Sequence, residues 1–204
     1  MIHSFRGKHN PAFARTRYVV PSQIVQNRNQ TAFLPIVTVR HPYPWMLALC
    51  KHYYSLIWPH SNQTCDQTLS LHEKVHADYG ATPDTVHDSL AHVWRDWNAL
   101  YFKERSYPLL IVRHEDLVYR PRPVIAKICE CVGGNLGKEF AYQKENTNLG
   151  SGHGEDRSDL TKAWVKYGQP LDLYHDKFSR RDWEIINDML ENDHGMMNAF
   201  NYRR

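Results

Sequence analysis

Hydrophobic positions along the chain form a few short β-branched runs, set between longer stretches with helical spacing. Ile36, Val37 and Val39 make one such run and read as a buried strand. Arg40 stands where the run stops. His41-Pro42-Tyr43-Pro44 comes next. Two prolines fix φ and restrict the residues before them, so this stretch is expected to interrupt both strand and helix. From Trp45 the pattern turns helical, with Trp45, Leu49, His52 and Tyr53 on one face. A second buried strand is expected over Leu109, Leu110, Ile111, Val112 and Arg113, just after Pro108. Between the two strands lie a polar insertion over 55–80 and a long amphipathic stretch. Thr82-Pro83-Asp84 is expected to start a helix that runs to about Arg105. Leu90, Val93, Trp94, Trp97, Leu100 and Tyr101 form its core-facing stripe, and Arg95 and Asp96 fall on the solvent side.

Past the second strand, His114-Glu115-Asp116-Leu117 leads to Pro121 and Pro123. These open a helix expected over 124–132, with Ile125, Ile128 and Val132 inward and Gly133-Gly134 as its stop. The acidic pair Glu115 and Asp116 reads as structural, holding the sheet edge or orienting nearby basic groups. Residues 140–159 are rich in Gly, Asn and Ser and read as a loop. Leu160, Ala163, Trp164 and Tyr167 have helical spacing. Ser179 is placed to cap a last helix over 180–190, with Trp183, Ile186 and Leu190 inward. In the tail, Asn201 is a residue that tolerates the left-handed region.

The chain of 204 residues is long enough for a single domain with its own core, and 42% hydrophobic with 23% charged residues reads as globular. One domain over 1–204 is expected, with an irregular segment at 1–31 and the core over 32–204. Twenty-five Lys and Arg against 22 Asp and Glu leave a net charge of +3. That suits an anionic ligand and falls far short of a nucleic-acid-binding balance. Cys129 and Cys131 are two apart on a predicted helix, so they face different ways and read as free, buried thiols rather than metal ligands. A Cys50–Cys65 disulfide stays open as a lumenal alternative. No apolar run approaches the length of a membrane span. Asn29-Gln30-Thr31 and Asn62-Gln63-Thr64 fit glycosylation acceptors.

His72-Glu73-Lys74-Val75-His76 fits the H-E-x-x-H pattern, which on a helix aims two imidazoles at one zinc ion. Lys74 sets a cation inside it, no third histidine stands at 82–84, and the flanks are polar. A zinc protease is therefore the distant alternative, and no metal is assigned.

The two strand-turn-helix stretches, Val39-Arg40-His41-Pro42 and Arg113-His114-Glu115-Asp116-Leu117, together resemble the sulfotransferase superfamily. In that family a strand ends in Arg-x-Pro, and an Arg-x-Glu-Asp-Leu unit follows the long helix. The resemblance covers residue 33 to the C-terminus. It implies an α/β fold, helix-rich, with a three-layer P-loop-like parallel sheet flanked by helices. It implies transfer of a sulfuryl group from 3′-phosphoadenylyl sulfate, as donor co-substrate, to a hydroxyl or amine acceptor. Carbohydrate is the expected acceptor, because the motifs are closer to Golgi-type members. The Golgi lumen is the location this implies, or the cytoplasm if Met1 is the genuine start.

By the same resemblance Arg40 holds the donor's 3′-phosphate, and Ser151 and Arg157, in the glycine-rich loop, join it there. His9, in Lys8-His9-Asn10-Pro11, stands for the general base. Two features depart from the family pattern. Ala48 occupies the position eight after Arg40, where a phosphate-binding Ser is usual. The strand, phosphate-cradling loop and helix that bind the 5′-phosphosulfate are not seen before Phe33, so the first β-α unit is expected to be missing. A truncated, non-catalytic nucleotide-binding remnant is therefore the alternative.

Overall fold

The computed structural model describes residues 34, 36–51, 56–57, 73–77, 85–103, 108–141, 161, 164–165 and 171–202. Among these, helices dominate. The chain runs β1 (Ile36–Val39), α1 (Pro42–Lys51), β2 (Leu56–Ile57), β3 (Val75–Ala77), β4 (Thr85–His87) and α2 (Leu90–Phe102). It continues with β5 (Leu110–Arg113), α3 (His114–Tyr119), α4 (Pro121–Cys131), a 3-10 helix (Leu171–Lys177), α5 (Arg180–Glu191) and α6 (Met196–Ala199). The architecture is broadly α/β.

β1 and β5 pair in parallel, with Ile36, Val37, Thr38 and Val39 opposite Leu110, Ile111, Val112 and Arg113. The two β-branched runs therefore lie side by side in one ladder and end together. Of β1 only Val39 is buried, and Ile36 is half-exposed.

Helix α1 starts earlier than the prolines suggest. Pro42 is its first residue, not a barrier to it. The N–H groups of a first helical turn have no partner within the helix, so a residue without an N–H loses nothing there. Pro44 lies in the same turn and is tolerated for the same reason.

The expected long helix divides differently. Its first part, Thr85–His87, is a strand, and α2 begins only at Leu90. Ser89 caps α2, its Oγ accepting the His92 N–H at 3.3 Å. A serine in an extended conformation satisfies one of the orphan donors of the first turn, which fixes the start there. β2, β3 and β4 then form a separate three-stranded antiparallel sheet that the hydrophobic pattern did not foretell. Residues 75 and 76 of the H-E-x-x-H stretch lie in that sheet, not on a helix. His76 pairs with Val86 and is exposed. His72 lies outside the described residues.

The core gathers Val39, Met46, Val93, Trp94, Ile186 and Met189, each no more than 1% exposed. Each fully buried aliphatic side chain of this size contributes roughly 1.5–3 kcal/mol relative to an exposed one. α5 packs on α2 and is set by a full capping box. The Ser179 Oγ accepts the Asp182 N–H at 3.1 Å, and the Asp182 carboxylate accepts the Ser179 N–H at 2.9 Å. The expected Ser179 cap is thus present, and Asp182, 1% exposed, is a buried carboxylate with its acceptors satisfied. Asp193 does the same for α6, accepting the Gly195 and Met197 N–H groups at 2.8 Å each. Asn201 has φ +51°, the left-handed conformation its type accommodates.

Cys129 and Cys131 are free, as expected, but not buried: Cys131 is exposed and Cys129 half-exposed. The reason is that α4 presents no buried residue at all.

Candidate functional site

Two strands that end in register bring their following residues together. Val39 is opposite Arg113, so Arg40 and His114, the first residue of α3, directly follow adjacent strands. Carboxyl ends of parallel strands are where ligands bind in open α/β sheets. Arg40 is half-buried, with its Nε out of contact with solvent, so the side chain does not simply trail into water. Its carbonyl is fixed from behind: the Trp94 indole N–H, from the core of α2, donates to the Arg40 oxygen at 2.8 Å. A rigid helix therefore holds the backbone that carries the guanidinium.

The turn between β1 and α1 is held from three sides. The His41 N–H donates to Glu115 Oε1 at 2.9 Å, linking the two motif stretches across 74 residues of sequence. The Tyr202 hydroxyl lies 2.9 Å from Glu115 Oε2 and 3.2 Å from the Val39 carbonyl oxygen. The His41 ring sits between Tyr43 and Tyr202, edge to face at 4.6 and 5.0 Å. Burial, and after it the Glu115 carboxylate, pushes the Tyr202 phenol far above the ordinary tyrosine value. Tyr202 is thus a donor at any ordinary pH. Glu115 is structural, as its sequence context suggested. Asp116 also holds basic groups, lying 3.5 Å from Arg113 Nε and 2.6 Å from Arg120 Nη2.

Arg113 belongs to the same closure. Its guanidinium lies over the Tyr202 ring at 5.0 Å, and Nη1 donates to the Asn201 carbonyl at 3.4 Å. It holds the tail. Neither Tyr202 nor Arg113 stood out as a site residue in the sequence. A tyrosine near the chain end and an arginine closing a strand carry no local signal of meeting.

The N-terminus of α1 differs from an anion-binding helix start. Pro42 and Pro44 have no N–H. The Tyr43 N–H donates to His41 Nδ1 at 3.4 Å, and the Trp45 N–H to the His41 carbonyl at 3.2 Å. Every backbone donor of the first turn is either missing or used, and the His41 N–H is taken by Glu115. Ala48, on the same helix, adds no hydroxyl. No backbone N–H of this first turn is therefore left to face Arg40.

His114 is the second basic side chain at this edge. Burial, and next the charge of Arg40, holds its imidazole below the ordinary histidine value; Glu115 acts the other way.

Asp96 and Arg95 are not the solvated pair their place off the stripe suggested. Asp96 accepts from Arg95 Nε and pairs with the buried His87, both at 2.8 Å. Burial pushes the Asp96 carboxyl up, but the His87 and Arg95 hydrogen bonds outweigh it and the carboxyl titrates below its usual range. An open depression lined by Asp96, Ala99, Leu100, Lys103 and His194 includes none of the strand-end residues.

His9, Ser151 and Arg157 lie outside the described residues, as do Cys65 and both glycosylation triplets. Among the described residues no group of three or more His, Cys, Asp or Glu is arranged to hold a metal ion, and no helix is long and apolar enough to cross a membrane. No family model matches the chain, and no curated protein or solved structure matches it.

Proposed function

We propose that the protein is sulfotransferase-like, taking 3′-phosphoadenylyl sulfate as donor and a hydroxyl or amine, carbohydrate by preference, as acceptor. One observation supports this most. The two stretches that carry the resemblance pair in parallel and in register, end together, and are joined by the His41–Glu115 hydrogen bond. Arg40 then stands at the carboxyl end of the ladder, where this reading puts the donor's 3′-phosphate. On this reading the ladder is part of a three-layer, P-loop-like sheet, and Ser151 and Arg157 cover the same phosphate. In the reaction the acceptor oxygen attacks sulfur as His9 takes its proton. The bond from sulfur to the bridging phosphate oxygen breaks, releasing adenosine 3′,5′-bisphosphate. The Golgi lumen is the compartment this reading implies.

Ala48 and the consumed backbone donors of α1 favour a second reading: a nucleotide-binding domain without turnover. A thermal shift with adenosine 3′,5′-bisphosphate tests what the two share. At a hundredfold excess over Kd a specific ligand adds about 2.7 kcal/mol. For a chain of this size that is roughly 5–10 °C. Arg40→Gln is expected to remove most of the shift. An equal shift in the variant, or none in the wild type, refutes the assignment. Transfer from radiolabelled donor to a panel of carbohydrates then separates the readings, since the second expects binding and no product.

A further inference from the structure

We propose that Tyr119 and Trp164 form the platform on which the acceptor, a chain of uncharged pyranose rings, is stacked. This rests on the carbohydrate-acceptor part of the reading above and names the residues that meet the sugar.

The two aromatic residues are clasped to each other. The Tyr119 hydroxyl donates to the Trp164 carbonyl at 2.8 Å, and the Trp164 indole N–H donates to the Val118 carbonyl at 2.7 Å. This reciprocal pair of bonds ties the end of α3 to Trp164. It orders both side chains and still leaves them open, Tyr119 being 39% and Trp164 42% exposed. The other described tryptophans, Trp45, Trp94, Trp97 and Trp183, belong to the core or pack against it. Val165, next to Trp164, is exposed, and so is Leu173. Tyr174, which follows Leu173, interacts electrostatically with Tyr119, so the 3-10 helix comes up to the clasp. Exposed apolar patches mark places where something binds, and side chains already held in one geometry lose little freedom when they are covered.

The occupant follows from the polar atoms and the charge. The hydroxyl and the indole N–H are both engaged in the clasp, so the rings have their π surfaces left to offer. The face of an aromatic ring is its negative side. The flat face of a β-linked pyranose carries C–H bonds whose hydrogens are weakly positive, and it stacks there. The sugar's rim of hydroxyls needs acceptors. α3 and the 3-10 helix carry Glu115, Asp116, Asp172 and Asp176 against a single lysine, Lys177. Asp172 is exposed, beside Leu173. Arg120, beside Tyr119, is paired with Asp116 at 2.6 Å. An anionic membrane calls for a basic surface, and so does a sulfated glycan. This surface suits an uncharged one.

The platform also adjoins the strand ends. Tyr119 stands one helical turn beyond Glu115 on the same side of α3, and Glu115 accepts the His41 N–H there.

The test is an NMR titration of the isotope-labelled full chain with chitotetraose and with cellotetraose, both uncharged and β-linked. The Trp164 indole N–H signal, identified by its loss in Trp164→Leu, is expected to shift. The sugar C–H protons are expected to move upfield, because they lie over a ring. Trp164→Leu keeps an apolar side chain without the ring and is expected to weaken binding roughly tenfold. If neither sugar shows upfield shifts in the wild type, the proposal is overturned without any variant having to fold. Equal affinity in Trp164→Leu overturns it too, since the patch is then merely apolar. So does a larger change of the Trp164 signal with anionic phospholipid vesicles or with a heparin tetrasaccharide than with the uncharged sugars. Adenosine 3′,5′-bisphosphate, added alone, separates the two readings. If it stabilises the wild type and no sugar stacks, the platform falls and the donor site stands. If the sugars stack and the nucleotide never binds, the donor site falls and the platform stands.

Discussion

Removing a single oxygen, in Tyr202→Phe, tests how the strand ends are held. The substitution keeps the ring, and with it the contacts to His41, to Phe200 and to the Arg113 guanidinium at 5.0, 6.0 and 5.0 Å. It removes the hydroxyl that bridges Glu115 and the Val39 carbonyl at 2.9 and 3.2 Å. Tyr202 is only 6% exposed, so water does not easily replace the lost donor. A hydrogen bond to a charged group contributes about 1.5–3 kcal/mol, and the better burial of a phenyl ring offsets part of it. The expected loss is about 2 kcal/mol. For a chain of this size that lowers Tm by roughly 4–8 °C.

Urea unfolding followed by circular dichroism reads the loss directly, and an alkaline series gives an independent check. The folded phenol is held above its ordinary value, so the folded state keeps a proton that the unfolded chain gives up. That contribution is complete below the ordinary tyrosine value near 10 and is lost as pH rises above it. Tyr202→Phe is expected to lack this part of the alkaline decline. A change below about 0.5 kcal/mol with an unaltered alkaline limb would mean that the hydroxyl does not join the tail to the strand ends.

Two further expectations come from the same packing. Trp94→Phe removes the donor to the Arg40 carbonyl from a site of 0% exposure. It should cost about 3 kcal/mol in urea unfolding, and a cost under about 1 kcal/mol would mean that the indole does not anchor position 40. Burial, ahead of neighbouring charges, depresses both His92 and His114, so the unfolded chain binds protons first as pH falls. Their contribution is complete above the ordinary value of 6.5 and lost below it. Urea midpoints at pH 7.5 and 5.5 should differ in that sense, and by less in a His92→Gln, His114→Gln double variant.

Much of this was legible because it is local. A β-branched run, a strand-end arginine and a serine before an amphipathic helix each state their geometry within a few residues. Ile36–Val39, Leu110–Arg113 and the Ser179 cap are where the pattern placed them. The misplaced elements failed for equally local reasons. Pro42 and Pro44 read as breakers, because helix interiors and first turns give proline opposite meanings. Residues 85–87 continued the apolar rhythm of α2, and three residues are too few for a strand period to separate from a helical one. The antiparallel sheet that holds them depends on partners at 56–57 and 75–77, and no single stretch encodes such a pairing.

The closure of the strand ends was hidden for a different reason. Tyr202 and Val39 are 163 residues apart, and Glu115 reaches His41 across 74. A sequence reveals that an acid follows a strand but not which backbone donor it accepts from. The sequence pattern and the fold treat the start of α1 differently. Read locally, a strand, an arginine and a helix start make a phosphate site in which backbone N–H groups do most of the holding. Folded, those donors are absent at two prolines and used by His41, while Glu115 takes the turn's own N–H.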